Sequence, residues 1–122
     1  MKRIALTSLV VGAALAVAVA AYGATTLSNP TSKAKLAYAK KALTAKPGSV
    51  TVKSKNLSPV LKHNVALRKG TKATSKLLKK GKVVGVNGVS KVTATLAKGK
   101  YRFVCTVLGH EAGGMWGILT VK

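Results

Sequence analysis

The stretch that most constrains the fold is Tyr101-Arg102-Phe103-Val104-Cys105-Thr106-Val107-Leu108-Gly109-His110-Glu111-Ala112-Gly113-Gly114-Met115. It runs from an alternating strand into a glycine-rich loop. Side chains on a strand alternate with period two, so Tyr101, Phe103 and Cys105 share one face, and the only cysteine of the chain sits inward at the strand's end. Five residues on stands His110, and five after that Met115. A thiolate, an imidazole and a thioether on one loop form a set of soft and borderline donors suited to copper. The other histidine, His63, opens the apolar run His63-Asn64-Val65-Ala66-Leu67, in which His63, Val65 and Leu67 face inward. The candidate ligand set is therefore His63, Cys105, His110 and Met115.

Each of these residues has a plainer reading when taken alone. An inward cysteine packs, a loop histidine is solvated, and a methionine among glycines fills a gap. Multi-residue spacing outweighs the single-residue readings. Zinc suits the Cys-His-His part of the set, but structural zinc sites use more cysteines and would leave Met115 idle.

The 122 residues suffice for one domain. Residues 1–23 read as a secretory signal peptide: Lys2 and Arg3, an apolar run, then the small-residue end Ala21-Tyr22-Gly23. The alternative is an uncut anchor, since Ile4 to Ala21 is nearly long enough to cross a bilayer. Residues 24–35 read as a short polar tether and residues 36–122 as the folded domain. Export places Cys105 in an oxidising compartment where, as a lone cysteine, it has no internal disulfide partner.

Charge is lopsided. The chain carries 22 Lys and Arg against one acid, Glu111, and the exported part keeps about +19. Without aspartate there is no carboxylate pair for glycoside hydrolysis, no Ser-His-Asp triad and no oxygen cage for calcium or magnesium. Glu111 itself reads as a solvated loop residue. The excess charge favours an acidic partner protein, reached by electrostatic steering, and non-specific adhesion to anionic surfaces at low salt. Specific nucleic-acid binding would need basic residues interleaved with aromatic platforms, which Tyr38, Tyr101, Phe103 and Trp116 do not supply. Trp116 reads as packing beside the loop.

Along the chain, Leu36 to Leu43 and Ser49 to Lys53 read as strands about the turn Lys46-Pro47-Gly48. Lys69 to Gly88 reads as a lysine-rich connection crossing between sheets, with a short helical turn at Thr74 to Lys79. Val92 to Leu96, Tyr101 to Val107 and Gly117 to Lys122 read as strands.

The Cys105 to Met115 loop resembles that of the cupredoxins, the small blue copper proteins. Lys98 to Cys105 looks like their penultimate strand and Gly114 to Val121 like their last. Ser58-Pro59 followed by His63-Asn64-Val65 resembles the segment bearing their first histidine, and Lys46 to Val52 an early strand. The spacing of four residues between Cys105 and His110 is that of the longer-loop members. The resemblance implies an all-β, Greek-key sandwich of seven or eight strands. It implies one copper ion with His63, Cys105 and His110 as equatorial ligands and Met115 as the weak axial one. It also implies a periplasmic or extracellular monomer that carries single electrons rather than an enzyme. Asn64 is then the brace, its backbone N–H directed at the Cys105 sulfur and its side chain tying two loops. The competing reading is a secreted cationic protein that stores or delivers copper, or coats anionic surfaces.

Overall fold

A computed structural model describes residues 23–122. Eight strands lie among them: β1 (Ala24–Ser28), β2 (Ala42–Ala45), β3 (Gly48–Lys55), β4 (Ala66–Lys69), β5 (Lys76–Lys80), β6 (Val89–Leu96), β7 (Gly99–Val104) and β8 (Trp116–Val121). They form a three-stranded sheet in the order β1-β3-β6 and a five-stranded sheet in the order β2-β8-β7-β4-β5. The β1–β3 and β2–β8 pairs are parallel and the others antiparallel. This is the all-β sandwich that the resemblance implies, with eight strands.

Period-two patterning explains the core. On β3, Val50, Val52 and Ser54 point in while Lys53 and Lys55 point out. On β6, Ser90, Val92 and Leu96 are buried. The facing sheet adds Leu43 and Ala45 from β2, Leu67 from β4, Tyr101 and Phe103 from β7, and Leu119 and Val121 from β8. Burying such aliphatic and aromatic side chains contributes about 1.5–3 kcal/mol each. Two glycines serve the architecture directly. Gly48 takes φ +126° behind Pro47, where the chain leaves one sheet for the other. At Gly117 any Cβ would collide with the Phe103 ring and with Lys41 O, so β8 can lie this close to β7 only without one.

Three expectations are corrected. Residues 24–28 are not tether but strand β1, in register with Ser49–Lys53 of β3. Its alternation is shallow because it is an edge strand of small and β-branched residues with one protected side. The strand expected over Leu36 to Leu43 begins only at Ala42. Before it, the Asn29 side chain pairs with both backbone groups of Lys40 (2.9 Å each), taking the place of a neighbouring strand. The helical turn expected at Thr74 to Lys79 is instead β5, an edge strand paired with β4, preceded by a turn closed by Ser75 N to Lys72 O (3.0 Å). The chain then crosses between sheets over residues 81–88, as expected of this connection. The signal-peptide and anchor readings fall on residues 1–22 and so lie outside the described residues, apart from Gly23 at the expected cut.

Candidate metal centre

All four candidate residues gather at one end of the sandwich. Cys105 follows directly on β7, and Met115 directly precedes β8. The two are tied by Cys105 N to Met115 O (3.1 Å). Between them the chain makes a compact loop held by His110 N to Val107 O, Gly113 N to Gly109 O and Gly114 N to Glu111 O, each 3.0 Å. Met115 N closes the loop on His110 O, also at 3.0 Å. His63 comes from outside it, ahead of β4, fixed by reciprocal backbone bonds with Val84 (3.1 and 2.9 Å). Cys105, Met115 and His63 are buried, whereas the His110 ring is partly exposed at the loop tip.

Three donor atoms converge. His63 Nδ1 and His110 Nδ1 stand 3.2 Å apart, and Cys105 Sγ is 3.9 Å from the first and 3.6 Å from the second. Metal–nitrogen bonds of about 2.0 Å and metal–sulfur bonds of about 2.3 Å would space a triangle of donors about 3.5 Å apart, close to what is found. A hydrogen bond between the two imidazoles would occupy their facing nitrogens and leave the sulfur aside. An ion satisfies all three. His63 Nε2 is buried without a hydrogen-bond partner among the described residues, so the ring's polar contacts lie on its Nδ1 side. The donor set therefore fits a soft or borderline transition metal.

The electrostatics suit a cation. Burial, then the charge of His110, lowers the His63 pKa and so favours the neutral ring, the form able to ligate. Burial raises the Cys105 thiol. Against it, the backbone N–H groups of Asn64 and Val107 donate to the sulfur and favour the thiolate. The Asn64 side chain bridges the segment after His63 to the segment after Cys105. Its Oδ1 accepts from Thr106 N (2.8 Å), and its Nδ2 donates to Thr106 Oγ1 and Gly81 O (2.9 Å each).

Glu111 is corrected: it is not a solvated loop residue. Its carboxylate takes Arg102 Nε at 2.8 Å and Arg68 Nη2 at 2.8 Å, with Arg68 Nε at 3.3 Å. Burial alone would raise this carboxyl, but the hydrogen bonds and charges of the two arginines outweigh it and hold its pKa below the usual range. Arg102 also stacks on Trp116, its Cζ 3.9 Å from the ring centroid, and Lys41 Nζ lies 4.8 Å from the same centroid. Trp116 thus packs beside the loop. Arg68, Arg102, Thr106 and Tyr38 were not singled out as site residues. In a domain whose other basic residues are nearly all lysines, the two arginines were the available signal, because only a guanidinium offers a fork of donors to a carboxylate.

A sequence profile described as copper binding proteins, plastocyanin/azurin family, matches residues 25–122. The chain belongs to that family. It is a cupredoxin, a one-copper electron-transfer protein. Solved structures agree. A dithionite-reduced auracyanin from Roseiflexus castenholzii is 32% identical, with a TM-score of 0.72, over 82% of this chain and 99% of that one. The "blue" copper protein auracyanin A from Chloroflexus aurantiacus is 30% identical, with a TM-score of 0.72, over 82% of this chain and all of its own. Rusticyanin from Thiobacillus ferrooxidans, at 19% identity and a TM-score of 0.65, shares the fold over 82% of this cupredoxin and 79% of its own chain. Among curated proteins no sequence relative is found.

Proposed function

We propose that His63, Cys105 and His110 hold the copper ion, that Met115 is its weak axial donor, and that this chain is an exported carrier of single electrons between proteins. The observation that carries the reading is the convergence of His63 Nδ1, Cys105 Sγ and His110 Nδ1 within 3.9 Å of one another. A bound copper ion supplies a Cu(II)/Cu(I) couple. The protein's part is to make the two states nearly alike in shape.

Two imidazoles suit the oxidised ion, and a thiolate with a thioether suits the reduced one. Three of the four ligands share one short segment between β7 and β8, so they move together if they move at all. His63 is fixed separately by Val84, and the Asn64–Thr106 pair locks the two segments to each other. Small motion between states means a small reorganisation cost. Partly exposed His110 brings the ligand set nearest to solvent and serves as the edge for electron passage. Four protein donors leave no open position for a substrate, which favours a carrier over a catalyst.

Among the described residues, Glu111 alone makes side-chain ion pairs, and only with arginines. Lys53 faces Lys91, and Lys69 faces Lys76, directly across the sheets without a carboxylate between them. An acidic redox partner, engaged transiently by a monomer, supplies the missing charge. Residues 1–23 act as the export signal, delivering the domain to the periplasm or the exterior.

The test separates carrying electrons from carrying copper. The copper-loaded full chain is cycled between ascorbate and ferricyanide beside a strong copper chelator. Retention of one copper through repeated cycles, with fast electron self-exchange, is expected. Transfer of the metal to the chelator on reduction would replace the carrier with a storage or delivery protein.

A further inference from the structure

The only acidic residue of the chain stands next to His110, and it is held by both arginines of the described residues. Arg68 on β4 and Arg102 on β7 lie directly opposite each other in the sheet register. Two facing guanidinium groups repel, and they are poorly hydrated here: the Arg102 side chain is 9% exposed and that of Arg68 20%. Glu111 reaches from the loop and places one carboxylate between them. The far ends of both arginines are anchored as well, Arg68 Nη1 to Ser75 O (3.0 Å) and Arg102 Nη1 to Thr71 O (3.1 Å). Arg102 then stacks on Trp116, the neighbour of Met115. One network thus grips the residue after His110 and the residue after Met115.

The loop needs such a grip. It contains Gly109 and Gly114 at φ +82° and +116°, and the backbone hydrogen bonds of residues 109–114 all stay within the loop and its immediate flanks, residues 107–116. Glu111 ties this otherwise self-contained loop to the face of the five-stranded sheet by charge-assisted bonds.

We propose that Glu111, clamped by Arg68 and Arg102, is the positioning residue that holds His110 at its place opposite His63 and Cys105. It touches no donor atom. It acts by removing the freedom of the loop, so that the ligand triangle is set before the ion binds and survives a change of oxidation state. The proposal rests on His110 being a copper ligand.

The test uses two full-chain variants, Glu111→Gln and Arg68→Gln. Each weakens the clamp, but the first raises the net charge by one and the second lowers it by one. In the metal-free protein, amide hydrogen exchange at residues 109–114 should accelerate in both, by about tenfold or more. With copper, both should shift the thiolate-to-copper absorption in the same direction and slow self-exchange about tenfold at high salt. Loop protection and spectra unchanged from wild type would overturn the clamp, as would self-exchange rates that move in opposite directions with the charge. If the wild-type chain itself lacks a thiolate-to-copper band, the copper reading fails instead. Unchanged loop protection in the metal-free variants would still refute the clamp.

Discussion

Asn64 and Thr106 are joined side chain to backbone and side chain to side chain. The Asn64 carboxamide accepts from Thr106 N at 2.8 Å and donates to Thr106 Oγ1 at 2.9 Å. Each residue is the chain neighbour of a donor, His63 and Cys105 respectively. The pair therefore fixes the separation of the two segments that meet at the candidate metal centre.

Asn64→Ala is expected to leave the Thr106 N–H and the Gly81 carbonyl without that partner. The loss should be about 2–3 kcal/mol, since stranded buried polar groups cost more than a bond contributes. Urea unfolding measures it. A midpoint equal to wild type would show that the two segments are held by other contacts.

Tyr38 is tied to the same residue from the other side, its hydroxyl donating to Asn64 O at 2.6 Å while its ring meets the Phe103 ring edge-on. Burial first, then Cys105 and Glu111, raises its pKa well above the ordinary 10.0. The sign follows. In the unfolded chain this tyrosine ionises near pH 10, while in the folded chain it stays protonated. Its contribution is therefore complete below that pH and is lost as pH rises, at about 1.4 kcal/mol per unit. Tyr38→Phe should be less stable at neutral pH by about 1–2 kcal/mol, and the gap should narrow above about pH 10. Parallel stability curves for the two proteins would contradict this.

Gly117→Ala should destabilise the fold by about 1–3 kcal/mol, because the new methyl meets the Phe103 ring and Lys41 O. Thermal unfolding of this variant, and of Gly117→Ala with Phe103→Leu, reads the cause. Measured against Phe103→Leu alone, the added methyl should cost less than it does beside the intact ring, and an equal cost in both backgrounds would place the conflict at the Lys41 backbone.

Met115→Leu should keep copper and raise the reduction potential. A weak axial donor contributes little to binding but helps the oxidised ion. Voltammetry with a copper assay decides. Outright loss of copper would make Met115 a principal ligand.

The residues proposed as ligands stood out because cysteine, histidine and methionine are scarce here, and the structure brings the donor atoms of His63, Cys105 and His110 together. Asn64 was legible through adjacency to His63. The core strands were legible from Val50, Val52, Val92 and Leu96, whose alternation a half-buried strand enforces, and their assembly into a sandwich from the resemblance to cupredoxins. The remainder was hidden for physical reasons. Strand β1 is a polar edge that needs only one neighbour, so Ala24 to Ser28 carries little apolar pattern. The same holds for β5, where four exposed positions mask the pairing with β4. The Arg68–Glu111–Arg102 cluster joins residues far apart in the chain, so Glu111 reads as solvated until the β4–β7 register sets the two arginines face to face beside it.

The most direct measurement is the visible absorption spectrum of the protein after one equivalent of Cu(II), for wild type and Cys105→Ala. An intense blue thiolate-to-copper band in the wild type, bleached by mild reductant, restored by oxidant and missing from Cys105→Ala, is the predicted result. A colourless or weakly absorbing wild-type product, or a band that survives loss of the thiol, would contradict the copper centre assigned to His63, Cys105, His110 and Met115.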